Sequence, residues 1–418
     1  MEILLIAFIC LLAAKAGFEI YLNLLNARHV RRHAEAIPDA LEGVMDEATY
    51  RKANAYTLAK LRFGRWESVT DALVLALVLA SGLLVWLYHG FTGYLGSGVW
   101  GQATVLFLIG VLLSIPALPL EWYEVFRLEE RFGFNKTTPG TWISDKIKGL
   151  LINAAIMIPL LALLFFLVKR MPETWWILGF GVFFAFSILM MVLYPMLIVP
   201  LFNKLEPLED GELKSRLMAL AERARFHAET IQVIDGSKRS AHSNAYFTGF
   251  GRFRRIVLFD TLMEQLEPDE IEAVLAHEIG HYRLGHIPKM LALSAVSGLI
   301  GFAVIAWLAN TPGFLTGFGF PAESGIGAVF LLFGLVSGTF TFWLTPLFAR
   351  WSRKYEYEAD AFAKKVLDGM RSMASALRKL SEKNLSNLTP HPLYSAWYYS
   401  HPTLVERESA LKSDRATV

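Results

Sequence analysis

His277, Glu278 and His281 stand in the order His-Glu-Ile-Gly-His, a spacing that does chemistry if it lies on a helix. Positions four apart stack on one helical face, so the two imidazoles can each offer a nitrogen to a single metal ion. Glu278 projects toward the same side at another angle, where it can hold a metal-bound water and take its proton rather than ligate the ion. Such a centre needs two neutral nitrogen donors, a third protein ligand, an open fourth position and a base within reach of it. The bare pattern also arises by chance on surface helices, so its surroundings decide. Pro268, Asp269 and Glu270 supply the Pro and acids of a first helical turn, and Ile271 to Leu275 continue the apolar pattern. Gly280 is expected to leave the metal-facing side free of a side chain.

The third ligand must come from elsewhere in the chain. Within Arg353 to Ala363, Glu356 and Asp360 are four apart on one helical face, and the small Ala359 and Ala363 let that face approach another helix. This arrangement suits a carboxylate ligand at Glu356 and, at Asp360, a second carboxylate that orients a ligating histidine. By itself the stretch would read as a solvated juxtamembrane helix; beside the histidines, Glu356 is the best third ligand. Glu358 points elsewhere and reads as solvated or structural.

The elements that must position these residues are mostly apolar. Hydrophobic residues make up 54% of 418 and charged residues 19%, with a mean hydropathy of +0.40, a membrane protein's composition. A net charge of +2 gives no sign of a nucleic-acid partner. The single cysteine, Cys10, excludes an intramolecular disulfide and a cysteine-based metal site, and reads as a small packed residue.

Seven spans are expected: Met1 to about Leu25, Ser68 to Tyr88, about 103 to Leu120, Gly149 to Val168, Trp175 to about Pro200, Met290 to Ala309, and Gly325 to Ala349. Glu2 argues against a cleaved signal peptide, so the first span is read as retained. Lys15 and Glu19 inside it are expected to pair with each other. Basic residues gather in 26–67, 121–148, 203–289 and after Arg350, which predicts an outside N-terminus and a cytoplasmic metal site. The chain thus divides into spans one to five (1–202), a protease segment (203–289), spans six and seven (290–350), and a tail that completes the site (351–418). In the protease segment, Leu213 to Phe226 predicts a helix, and Ile231 to Ile234, Ser243 to Gly249 and Arg255 to Phe259 predict strands. No internal repeat supports a transporter.

Several separate stretches then agree at once. Phe132-Gly133-Phe134-Asn135-Lys136-Thr137-Thr138, Ser243-Asn244-Ala245-Tyr246-Phe247-Thr248-Gly249, the His277–His281 motif, Glu356-Tyr357-Glu358-Ala359-Asp360 and Tyr399-Ser400-His401-Pro402 resemble the integral-membrane CAAX prenyl endopeptidases. The resemblance implies an all-α membrane protein, seven transmembrane helices around a water-filled intramembrane chamber, with a mixed α/β zinc metalloprotease domain on the cytoplasmic side. It implies one zinc ion held by His277, His281 and Glu356, with Glu278 as base. It implies that Asn244 and Ala245 bind substrate backbone on an edge strand, that His401 lies near the reacting carbonyl, and that Arg407 pairs with a site carboxylate. The chamber would give the segment around Asn135 and the in-span charges water to face. The implied substrate is a peptide or protein, prenylated in eukaryotic members, in contact with membrane lipid; nothing in the sequence specifies an oligomeric state. The tail Asp414-Arg415-Ala416-Thr417-Val418 has no retrieval signal, which points to a bacterial inner membrane. There, trimming or quality control of membrane proteins without a lipid requirement is the alternative role, and a non-catalytic peptide-binding protein is the third.

Overall fold

The computed structural model describes residues 3–226, 230–248 and 255–413. Glu2, Gly249 and the tail 414–418, used above, lie outside them. The membrane part contains α1 (Ile3–Arg32), α2 (Glu47–Ala80), α3 (Leu83–Leu95), α4 (Val99–Ser114), α5 (Pro139–Arg170) and α6 (Trp175–Leu193). The protease segment follows with α7 (Glu212–Arg223), α8 (Asp260–Gln265) and α9 (Pro268–Arg283). Then come α10 (His286–Ala309), α11 (Pro312–Gly317), α12 (Gly325–Thr341), α13 (Thr345–Val366), α14 (Arg371–Lys383), α15 (Pro392–Tyr398) and α16 (Leu404–Lys412). Among the described residues six helices are long and apolar enough to cross a membrane, or seven if α2 and α3, bent by 64° where they meet, are one span.

The helices overrun the expected spans. Polar residues 26–67, between the first two expected spans, mostly continue the helices on either side: α1 runs on to Arg32, and α2 starts at Glu47 behind an Asp46 cap whose carboxylate accepts from the Thr49 N–H at 2.7 Å. A 30-residue helix is about 45 Å long against roughly 30 Å of hydrocarbon, so α1 stands well out of the bilayer.

The spans pack as a ring: α1 on α2, α3 on α4, α4 on α5, α5 on α6, α6 on α10, α10 on α12 and α12 back on α1. Their shared apolar core, including Leu5, Val78, Ile109, Trp175, Phe302 and Leu332, lies at one end only. Below it, residues 13–21 of α1, 64–77 of α2, 139–159 of α5, 180–193 of α6 and 287–301 of α10 include no buried side chain. A solid bundle would bury an inner face at every level. These helices therefore wall a hollow, closed at the α1 N-terminal end and reaching toward the end where α9 runs into α10. Lys15 and Glu19 pair at 3.1 Å within that band, as expected.

The protease segment is a four-stranded sheet in the order β1 (Leu205–Pro207), β2 (Thr230–Ile234), β4 (Arg255–Phe259), β3 (Ala245–Thr248). β2 and β4 are parallel, β1 and β3 are antiparallel to their neighbours, and β3 forms an edge with Ala245 opposite Leu258. The three expected strands are present. β1 was not legible, because three residues ending in proline show no alternation. Against the sheet, Leu217 and Leu220 of α7 and Leu275 and Ile279 of α9 close a second core with Ile231, Ile256 and Leu258.

The segment around Asn135 does not simply face water. Asn135 forms an antiparallel bridge with Ser240, the Lys136 N–H donates to the Arg239 carbonyl at 3.1 Å, and the Ala241 N–H to the Phe134 carbonyl at 3.0 Å. Its backbone thus clips the membrane helices to the stretch leading into Asn244.

Candidate metal centre

α9 begins at a capping box: the Glu267 N–H donates to the Glu270 carboxylate at 2.8 Å, and Pro268 occupies the first position. One face, with Ile271, Leu275 and Ile279, is buried under the sheet. The next face presents His277 and His281 to α13. Gly280 is the residue that lets them get there. A Cβ at Gly280 would sit 3.0 Å from the Cα and 3.1 Å from the carbonyl oxygen of Ala359, both rigid backbone. The expectation that Gly280 clears the metal side is therefore corrected: it clears the crossing with α13 and so brings Glu356 to the histidines.

The donor atoms meet. His277 Nε2 lies 3.2 Å from His281 Nε2 and 3.3 Å from Glu356 Oε2, and His281 Nε2 lies 3.2 Å from Glu356 Oε1. One ligand atom from each residue falls within 4.8 Å of the others, and buried Glu356 Oε2 has no hydrogen-bond partner. Two imidazoles and a carboxylate converging with an orphaned oxygen fit one divalent metal ion.

Each histidine is held from behind. His277 Nδ1 lies 2.8 Å from Asp360 Oδ1, and Asp360 takes a two-pronged grip from Arg407, Nε to Oδ2 at 2.8 Å and Nη2 to Oδ1 at 2.6 Å. Asp360 is 1% and Arg407 9% exposed, so this pair works away from bulk water. The second histidine has a chain of its own. His281 Nδ1 lies 3.0 Å from His286 Nδ1, and His286 Nε2 lies 2.8 Å from Glu358 Oε2. If His281 Nε2 keeps its lone pair for a metal, Nδ1–H donates to His286 Nδ1, and His286 Nε2–H then donates to Glu358. One tautomer of each ring follows from the next. The turn at Gly285, φ +69°, brings His286 back under His281. Glu358 is thus structural rather than solvated. His286 went unnoticed in the sequence because five residues after His281 is no ligand spacing.

Replacing His286 by Leu is expected to lower metal affinity about 10–100-fold, and His286→Asn, whose Oδ1 can accept where Nδ1 did, to recover part of it. Competition against a chelating dye measures this. Equal affinities for both variants and the parent would remove His286 from the ligand's support.

Glu278 is half-buried on α9, and burial pushes its carboxyl up from its ordinary value against the opposing pull of His277 and His281. That moves it toward the neutral pH range in which a base works best. His401 is hemmed in by protein, which lowers its pKa, yet its side chain is 62% accessible, as for a group lining a hollow. Its Nε2 lies 3.5 Å from Glu356 Oε1. Asn244 immediately precedes β3 and Ala245 begins it, where Ala245 shares a core with Ala276, the residue before His277. The Phe259 N–H donates to the Asn244 carbonyl at 3.1 Å, which turns the N–H and C=O of Ala245 toward the open edge. There the Asn244 Oδ1 accepts from the Ala245 N–H at 2.9 Å.

With this geometry in hand, comparisons with known proteins converge. Residues 26–204 match the family model described as CAAX prenyl protease N-terminal, five membrane helices, and residues 207–415 match Peptidase family M48. The chain is 38% identical to CAAX prenyl protease 1 of Saccharomyces cerevisiae over 95% of this chain and 93% of that protein. It is 35% identical to the CAAX prenyl protease 1 homolog of Arabidopsis thaliana, over 95% of each, and 33% identical to that of Homo sapiens, over 92% and 90%. Its structure is similar to the crystal structure of S. mikatae Ste24p, with a TM-score of 0.92, 35% identity, and coverage of 99% and 100%.

Proposed function

The chain belongs to peptidase family M48, in the form that carries the CAAX prenyl protease N-terminal membrane domain, and is a multi-pass membrane metalloendopeptidase; on that premise we propose that its metal is zinc, one ion per chain, and that it cuts CAAX-type proteins near their C-terminus. The observation that carries this reading is the convergence of His277, His281 and Glu356 where span six begins and span seven ends. The donor set suits zinc, with cobalt and manganese as chemically tolerated substitutes. When bound, the ion supplies Lewis acidity that lowers the pKa of water toward about 7 and polarises the scissile carbonyl.

The chain's own residues do the rest. The open edge of β3 accepts the substrate as an added strand, through the outward N–H and C=O of Ala245, with the Asn244 amide moving from its own backbone to the peptide. Glu278 takes a proton from the attacking water and delivers it to the leaving amine. His401 donates a hydrogen bond to the developing oxyanion. Asp360 and Arg407 hold the tautomer of His277. The hollow beside the centre offers room for a prenyl chain. We place the centre on the cytoplasmic side of the membrane, from the basic segments that flank it.

The test is cleavage of a farnesylated CAAX peptide beside its unprenylated twin by the purified protein in detergent, with a chelator control. Cleavage of the farnesylated peptide alone, abolished by the chelator, is the expected result. Equal cleavage of both peptides would mean that specificity lies in the extended backbone, and would favour the quality-control role. Cleavage of neither with metal bound would leave a peptide-binding protein.

A further inference from the structure

Five arginines, Arg31, Arg62, Arg65, Arg127 and Arg131, line one hollow of about 700 Å3, and no Asp or Glu lines it with them. None of the five is in an ion pair among the described residues. Arg65 Nη1 donates to the Leu61 carbonyl at 3.1 Å, Arg131 lies 5.5 Å from the Phe132 ring, and Arg31 and Arg62 bear electrostatically on Arg65. Two neighbouring acids are already engaged. Glu124 pairs with Lys60 at 3.3 Å; Glu129 accepts from Tyr56 at 2.7 Å and faces Lys60 at 3.4 Å and His242 at 3.5 Å. Five guanidinium groups around one concavity repel one another in the folded chain, and among the described residues no carboxylate is paired with any of them.

The position of the hollow says what would. Arg31 is in the last turn of the long α1, Arg62 and Arg65 sit on α2 just before its apolar run, and Arg127 and Arg131 lie beyond α4 in the helical stretch that ends at Phe132. Trp66 and Tyr123 on its rim are 60% and 52% exposed, the residue types found at headgroup level. Leu128 and Phe132 form its inner wall and also belong to the apolar cluster that includes Ala273 of α9 and Met373 of α14. The hollow therefore opens at the membrane surface on the metal-centre side.

We propose that this hollow binds the phosphate headgroup of an anionic glycerophospholipid, with its acyl chains running along the exposed apolar rim of α2 and of the stretch that follows α4. Guanidinium forks match phosphate oxygens two at a time, and five of them around one site select against a zwitterionic headgroup. The lipid would tie α1, α2 and the stretch after α4 together where those helices leave the bilayer. This site is separate from the metal centre, so its test does not depend on peptide cleavage.

Native mass spectrometry of the full chain in detergent, offered dioleoyl phosphatidylglycerol or dioleoyl phosphatidylcholine, reads binding directly. The parent is expected to retain phosphatidylglycerol at least about tenfold better than phosphatidylcholine, and the Arg62→Gln, Arg127→Gln double variant to lose that preference. The Arg62→Lys, Arg127→Lys variant should keep the larger part of it. A size-exclusion profile like the parent's reports an intact fold in each variant. Should the first pair not fold, Arg31→Gln with Arg131→Gln makes the same prediction. Equal retention of the two lipids by the parent, or phosphatidylglycerol retention unchanged in the glutamine variants, overturns the proposal. Full displacement of phosphatidylglycerol by millimolar inorganic phosphate also overturns it, in favour of a site for soluble anions.

Discussion

A Glu278→Gln variant is expected to bind its metal with the parent's affinity and to lose peptide cleavage by about 10²–10⁴-fold, the share that a positioned base supplies. The residue is half-buried on α9, beside the two histidines of the candidate metal centre but outside the cluster of donor atoms they form with Glu356. Glutamine keeps the shape and removes the ability to take a proton. The loss should therefore fall on kcat, with KM little changed, because the proposed binding edge on β3 is a different element from the one that carries the exchanged group. Metal content and a cleavage time course on the same preparation separate the two effects. A variant that is fully metal-loaded and cuts at the parent rate would falsify the role given to Glu278; one that loses its metal would show that Glu278 supports the donors rather than the water.

Arg407→Leu should be the most destabilising single change at the centre. Arg407 and Asp360 are 9% and 1% exposed, and two hydrogen bonds join them at 2.8 and 2.6 Å. Removing one partner strands the other as an uncompensated buried charge, a loss of about 3–5 kcal/mol. Arg407 Nη1 also stands 3.9 Å from Glu356 Oε2, so the leucine leaves a second carboxylate without a nearby cation until metal arrives. Thermal unfolding in detergent is expected to show a large drop for the metal-free variant and a smaller one once metal is added. Arg407→Lys keeps the charge but not the two-pronged grip, and should fall between. An unchanged melting temperature in Arg407→Leu would mean that Asp360 is satisfied by His277 alone.

The likeness to known membrane peptidases spans nearly the whole chain, and it was the sequence that first pointed to it. The two histidines four apart, the acids of the first turn and the apolar runs of the spans are local patterns, set by helical period and by the length needed to cross hydrocarbon. For the same reason the strands at 231–234 and 255–259 and the start of α9 at Pro268 could be read directly. Glu356 could be nominated by its spacing to Asp360, although its meeting with the histidines is a contact across some eighty positions that periodicity does not record.

Tertiary structure decided what depends on which surfaces meet. Gly280 reads in sequence as an absence of bulk, and only the approach of Ala359 shows which helix needs that absence. His286 and Glu358 look unrelated until the turn at Gly285 and the packing of α13 on α9 put them in line with His281. The arginine-lined hollow gathers residues from 31 to 131 that no local pattern connects. The hollow between the spans is likewise invisible to hydropathy, which records whether a helix is apolar but not whether its inner face touches anything. The sequence by itself determined the chemistry at each position and the element bearing it. The folded chain decided which of those groups share a dry pocket, because burial and distance are properties of packing.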